Sequence, residues 1–339
     1  MGVCALFWKD FGSNMLIDIA IAQAVGAGFS GAQANLQANL QANLQANLQA
    51  SAEATAQATA QTMTLFHAVV IGLVQGLTEF LPISSTAHVK VVPVMLGWGD
   101  PGVSFTAVIQ LGSVAAILWY FWSDLSSVTM NFLKAATHGR FSTPEFRLGL
   151  GILLGTLPIV VMGLFIKLFV PGYDSSVVRS TAAIAITSIV MAILLGIAEK
   201  VGRRKRDFSK LGLNDGVIVG LAQALALIPG VSRSGSTLTA GLFSGLKRES
   251  AARFSFLLGM PAILLSGLVS LTDVVGADSA VGLVPLMGGL LAAVVSSYLA
   301  IAWLIEFLKN HSTWVFVWYR LAFGAVILGA IALDILENV

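Results

Sequence analysis

The chain has 339 residues, 56% of them apolar and only 11% charged, with nineteen basic and seventeen acidic side chains and a net charge of +2. An ordinary soluble chain carries roughly 25% charged residues, so a water-facing surface is excluded, and a mean hydropathy of +0.86 makes lipid the solvent. The lone Cys4 excludes an intramolecular disulfide or a cysteine-rich metal site, and the small net charge gives no reason to expect nucleic acid.

Residues 1–62 differ from the rest. Gln-Ala-Asn-Leu repeats four times from Gln33 to Leu48, and an Ala/Thr/Gln-rich stretch continues to Gln61. A period of four drifts around a 3.6-residue helix, so its leucines make a wandering stripe and no packed face. We expect a low-complexity, disordered extension without chemistry, with Met63 as an alternative start, followed by a membrane domain over 63–339.

Six segments in that domain are long enough for the roughly 20 helical residues that cross a bilayer core. They are 104–122, 148–170, 180–198, 254–272, 281–305 and 314–333. Their only charges, Lys167 and Arg320, are expected to snorkel, as is Lys90. Two further apolar stretches, 65–98 and 214–246, are broken by Pro-containing polar clusters. The intervening loops 123–147, 199–213, 247–253 and 306–313 hold thirteen basic residues, against Arg179 alone in 99–103, 171–179 and 273–280. This asymmetry places the basic loops in the cytoplasm, provided each broken stretch returns to the face it left.

The broken stretches also resemble each other. Gly72-Leu73-Val74-Gln75 recurs 148 residues later as Gly220-Leu221-Ala222-Gln223, and Pro82-Ile83-Ser84-Ser85 is matched loosely by Pro229-Gly230-Val231-Ser232. Three spans lie between the copies, an odd number, so they enter from opposite faces. The fold expected is therefore an all-α polytopic membrane protein with an inverted-topology repeat, in which each half is a re-entrant helical hairpin plus three transmembrane helices. Repeat 1 covers about 65–198 and repeat 2 about 214–336.

Gln75 and Glu79 share a helix face ahead of Pro82. Ser84, Ser85 and Thr86 are natural caps for the helix that follows, which carries His88. The second break supplies Ser232, Arg233, Ser234, Gly235, Ser236 and Thr237. Two helix N-termini, a guanidinium and clustered hydroxyls make a phosphate site. Pure anion binding would exclude a carboxylate, so Glu79 argues for a metal or for proton transfer. Against this stand plainer readings. Glu79 and Arg233 could form a structural ion pair, hydroxyls are ordinarily only caps, and Gln75 and Gln223 suit interhelical hydrogen bonds. His67, His138 and His311 need no role.

At these residues the sequence resembles the bacterial undecaprenyl-diphosphate phosphatases of the bacitracin-resistance type. Their motifs stand here as Gln75 to Glu79, Pro82 to His88 and Pro229 to Thr237, and the likeness covers 65–336. Gln75 replaces a frequent Glu, and Ala87 replaces the usual Gly before the histidine. The resemblance implies an enzyme that hydrolyses a long-chain prenyl diphosphate at a site opening to the outer side of the bacterial cell membrane, recycling the cell-wall lipid carrier. It puts Glu79, His88 and Arg233 on the essential acid, histidine and arginine, and Ser85 on the proposed nucleophile. Gln75, Ser84, Thr86, Ser232, Ser234, Gly235 and Thr237 are expected to bind substrate, and Glu79 to hold a divalent cation, magnesium or calcium. Attack by Ser85 with His88 as base, attack by His88 itself, and water activated by Glu79 all remain open. A transporter or lipid-phosphate flippase using the same site without hydrolysis is the rival reading. Membrane lipids are the remaining expected partner, and a homodimer is left open.

Overall fold

In the computed structural model the chain divides into two compact units, Met1–Gln61 and Thr62–Val339. The structure describes residues 63–173, 176–275 and 281–338, together with residues 41, 44 and 45, which are helical. The expectation of disorder over 1–62 otherwise falls outside the described residues.

The second unit is built of helices. It opens with α1 (Leu65–Glu79), capped by the Thr64 hydroxyl, and α2 (Ser85–Met95). Next come α3 (Val103–Tyr120), α4 (Trp122–Thr137), α5 (Pro144–Phe169) and α6 (Thr181–Val201). The second broken stretch is α7 (Leu213–Ala224), a 3-10 turn at Leu225–Leu227 and α8 (Arg233–Phe243). The chain ends with α9 (Arg248–Val275), α10 (Leu283–Asn310) and α11 (Trp314–Ala332). Of these, α3, α5, α6, α9, α10 and α11 are long and apolar enough to cross a membrane, making this a multi-pass membrane protein. At 15, 11, 12 and 11 residues, α1, α2, α7 and α8 reach only about 16–23 Å at 1.5 Å per residue, short of a ~30 Å core. Each pair packs on itself, α1 on α2 and α7 on α8.

Three sequence expectations need correction. The segment 123–147 is no plain loop, because α4 fills its first half. Leu125, Val128, Phe132 and Ala135 fall on one face at helical spacing, and Phe132 stacks on Phe146 with ring centres 5.1 Å apart. The spans also run further than their apolar cores. Thr143 caps α5 with Pro144 in the first turn, and α9 and α10 carry Arg248, Glu249, Glu306 and Lys309 as helix. Hydropathy marks the apolar core of a span, whereas the helix continues past it through charged residues. Finally, the two breaks align 148 residues apart, so Ser84 corresponds to Ser232. The looser match had set Ser85 against Ser232.

Packing exchanges partners between the halves. α1 lies along α10, and α7 lies along α5. Small residues permit both contacts: a Cβ on Gly72 would sit 2.2 Å from the Gly289 carbonyl oxygen, and one on Gly220 2.2 Å from that of Gly155. The main apolar core gathers Phe80 and Ile83 beside the first break with Leu238 and Leu242 of α8, Phe256 of α9 and Val317 of α11. On the basic side, buried Glu199 receives Arg204, Arg248 and Thr313, and Asp215 takes both terminal nitrogens of Arg206 at 2.7 Å.

Candidate active site

The two breaks are built alike and meet. Ser84 caps α2 at φ 75° and accepts from the Ala87 amide, while Ser232 caps α8 at φ 71° and accepts from the Gly235 amide. A positive φ is unfavourable for a residue with a side chain, so each tip stores backbone strain that its surroundings must hold. Arg320 of α11 does much of the holding. Its Nη1 donates to the Pro82 carbonyl at 3.1 Å, and its Nη2 donates to those of Gly230 at 2.7 Å and Val231 at 3.2 Å. Its Nε donates to the Ser188 carbonyl at 3.1 Å. Pro82 and Gly230 are themselves 148 residues apart, so one guanidinium clasps the same carbonyl in both copies. Arg320 is 0% exposed, which overturns the expectation that it snorkels: four carbonyls inside the bundle replace the water its length could have reached. Ser234 adds a direct tie, donating to the Leu81 carbonyl at 2.9 Å.

Glu79, at the end of α1, sits where the tips touch. Its Oε1 accepts from Arg233 Nη2 at 3.2 Å, and its Oε2 accepts from Ser85 Oγ at 2.6 Å and from Gln75 Nε2 at 2.8 Å. Both members of the ion pair are buried, with 5% of the Glu79 and 9% of the Arg233 side chain exposed. Arg233 also donates through Nη1 to the Ser255 carbonyl. His88 lies one turn along α2 but does not face Ser85. Its Nδ1 meets the Ser84 carbonyl at 2.8 Å, and a carbonyl can only accept, so that nitrogen carries the proton. Its Nε2 then accepts from the Tyr319 hydroxyl at 2.6 Å, and the ring stacks 4.4 Å from Phe323. The expected Ser85–His88 contact is therefore absent from this arrangement, and the partner of Ser85 is Glu79. Tyr319, Phe323 and Gly259, where a Cβ would fall 1.5 Å from Arg233 Nη1, are site residues that sequence reasoning missed.

The remaining candidates divide. Thr86 is exposed at the first tip. The hydroxyls of Ser84 and Ser232 are engaged as caps. Thr237 Oγ1 donates to the Arg233 carbonyl at 2.7 Å and pairs with the Ser255 hydroxyl. The Gly235 amide is held by the Ser232 hydroxyl at 3.0 Å, and a Cβ there would lie 2.8 Å from Arg320 Nη1. These four build the tips. Gln75 bonds within its own helix, and the side chain of buried Gln223 meets no hydrogen-bond partner among the described residues, so neither forms the interhelical link expected there. Glu79 is the one carboxylate here, hydrogen-bond donors face both its oxygens, and Gln75 cannot replace a second carboxylate. Among the described residues no three His, Cys, Asp or Glu side chains come together as a metal-binding group. The donor set does not fit a divalent cation held by the protein's own side chains.

A buried carboxylate, a serine bonded to it and an arginine, brought together by two helix breaks inside an apolar bundle, form the candidate site of a multi-pass membrane protein. The chain belongs to the family described as bacitracin resistance protein BacA, which matches residues 68–326. It is 62% identical over 277 residues to the undecaprenyl-diphosphatase of Nostoc sp. (strain PCC 7120), covering 81% of this chain and 87% of that one. The undecaprenyl-diphosphatase of Synechococcus elongatus is 59% identical over 280 residues, 82% of this chain and 96% of its own length. That of Trichodesmium erythraeum is 56% identical over 277 residues, 81% of this chain and 89% of its own.

Proposed function

We propose that the protein is an integral-membrane phosphatase that converts undecaprenyl diphosphate to undecaprenyl phosphate and inorganic phosphate, recycling the cell-wall lipid carrier and so conferring bacitracin resistance. The observation that carries this reading is the contact between Ser85 Oγ and Glu79 Oε2, with Arg233 on the other oxygen of the same carboxylate. Anion binding or transport has no use for a nucleophile paired with a base. The names of the relatives support the same substrate.

The geometry supports a serine mechanism. Glu79 takes the Ser85 hydroxyl proton as Oγ bonds to the terminal phosphorus, and the bond from phosphorus to the bridging oxygen breaks. The departing lipid phosphate takes that proton from Glu79. Water then attacks the phosphoserine, gives a proton to Glu79 and frees phosphate, and Glu79 returns the proton to Ser85. Arg233 offsets the charge that gathers on the terminal phosphoryl oxygens. His88, with Nδ1 on the Ser84 carbonyl and Nε2 on Tyr319, positions the first tip.

The equivalent strained caps, the shared Arg320 clasp and the exchanged packing of α1 and α7 support the inverted repeat with two re-entrant hairpins. The basic loops favour a bacterial inner-membrane orientation with those loops cytoplasmic. A pocket that reaches Gln75 and Thr86 from Asp100, Gly102 and Arg179 favours an outward-opening site. The test is rapid quenching of purified protein with prenyl diphosphate labelled in the terminal phosphate. Label should appear on Ser85, and Glu79→Ala and Arg233→Ala should each lower phosphate release by roughly 10²–10⁴-fold. A Ser85→Ala protein with the original turnover number would remove the serine mechanism. Undiminished phosphate release by Arg233→Ala would remove the site.

A further inference from the structure

The loop from α6 to α7 carries six basic side chains over 199–213, and its backbone is fixed. The amides of Lys205 and Arg206 both donate to the Gly245 carbonyl at 3.0 Å, and the Lys247 amide returns to the Arg206 carbonyl at 2.9 Å. This short ladder ties the loop to the turn between α8 and α9. Its side chains then divide by direction. Arg204 turns in to buried Glu199 at 2.7 Å, and Arg206 turns in to both oxygens of buried Asp215 at 2.7 Å. Arg203 and Lys205, the alternate residues, are exposed.

The carboxylates at this end are engaged by other cations. Glu199 also receives Arg248, and Asp207 pairs with Lys247 at 2.6 Å while acting on Lys210. Glu249 acts on Lys247 and Lys309, and Glu306 holds Lys309 at 2.7 Å. Among the described residues no carboxylate pairs with Lys200, Arg203 or Lys205. Three positive charges therefore stand unneutralised on a rigid frame.

Their depth follows from α6. Ile186, Val190, Ile193 and Ile197 are exposed at steps of four, three and four residues, the stripe that this span turns to lipid. Exposed Lys200 and Val201 come three and four residues further on. Lys200 thus continues the lipid-facing stripe at the point where the span ends. A partner docking from the aqueous side has no use for a cation on that stripe, whereas a phospholipid, whose chains lie along the stripe, brings its phosphate to that level.

We infer that Lys200, Arg203 and Lys205 form a binding surface for the phosphate headgroups of anionic phospholipids at the end of α6. The test is the thermal midpoint of the purified protein in neutral detergent, titrated with phosphatidylglycerol or with phosphatidylcholine. Phosphatidylglycerol should raise the midpoint at lower concentration than phosphatidylcholine. With roughly fivefold in affinity per basic residue near an anionic lipid surface, the triple variant Lys200→Gln, Arg203→Gln, Lys205→Gln should need at least tenfold more phosphatidylglycerol for half its effect. Its midpoint without lipid should match the original, because these side chains are exposed and unpaired. The charge-keeping set Lys200→Arg, Arg203→Lys, Lys205→Arg should retain the original preference. So should Lys134→Gln, Arg140→Gln, Arg147→Gln, which removes three charges from another basic loop. Inorganic phosphate at the same concentrations should not reproduce the shift. An original protein that responds alike to the two lipids overturns the surface. Equal losses in the two glutamine sets also overturn it, since the preference would then follow net charge alone.

Discussion

The space that a side chain at position 259 would fill belongs to the guanidinium of Arg233. A methyl group placed 1.5 Å from Nη1 cannot coexist with it, so Gly259→Ala must push Arg233 away from Glu79. Misplacing a catalytic group by about 1 Å costs roughly 10²-fold, and phosphate release should fall by at least that factor. The better helix former at 259 does not offset the loss of the buried pair with Glu79, so the thermal midpoint in detergent should fall as well; retained activity in a Gly259→Ala protein would mean that Arg233 acts elsewhere. Nothing in the sequence singled out Gly259, one glycine among 34, because its importance exists only once α9 lies against the tip that carries Arg233. Tyr319 is hidden for the same reason, since it meets His88 across 231 positions. Glu79, Ser85 and Arg233 were legible because charges and clustered hydroxyls interrupting an apolar stretch stand out without any partner in view. The hydroxyls of Ser84, Ser232 and Thr237, expected to face the ligand, are engaged in the structure by the Ala87 and Gly235 amides and the Arg233 carbonyl. A polar residue near a site looks the same in sequence whether it faces the ligand or holds up the wall.

At the scale of elements, the tips depend on a side chain from outside both hairpins. Ser84 and Ser232 hold a backbone conformation that costs of order 1–3 kcal/mol each, and Arg320 ties the adjoining carbonyls of both breaks together. A lysine at 320 keeps the charge but loses the planar fork, and one ammonium cannot span Pro82, Gly230, Val231 and Ser188 at once. Arg320→Lys should therefore lower stability by about 3 kcal/mol, as losing hydrogen bonds to a buried charged group does. Activity should fall at least tenfold, because the tips carrying Ser85 and Arg233 lose their common anchor. A melting temperature and turnover number both unchanged in detergent would show that the tips hold themselves. Which elements were legible follows from the same physics. The six spans announce themselves by transfer from water, and the breaks by Pro and hydroxyl clusters. α4 does not, because its apolar face is one stripe on a polar helix and its length leaves it short of a span. The charged ends of α5, α9 and α10 were lost because hydropathy measures the solvent and not the backbone.

At the scale of the molecule, the short hairpins decide the topology. A stretch broken at its centre can either cross the bilayer or turn back, and the proposed turn back agrees with the packing of each short pair on itself and with Glu79 at 3.2 Å from Arg233. The sequence could pose this alternative through its loop charges but could not close it, since both choices bury the same apolar area and differ only in where the ends emerge. The ends can be read directly. In a Cys4→Ser background, single cysteines are placed at the two ends of each hairpin: Met63→Cys and Leu96→Cys for the first, Lys210→Cys and Lys247→Cys for the second. An impermeant maleimide added to intact spheroplasts should label both members of the first pair. Both members of the second should stay unlabelled until the membrane is opened, because the basic loops that flank them are retained inside. If either pair splits between the two sides, its hairpin crosses the bilayer as a broken span. The packing of α1 on α2 and of α7 on α8, on which the re-entrant arrangement rests, would then have to open for its helices to run through the bilayer end to end.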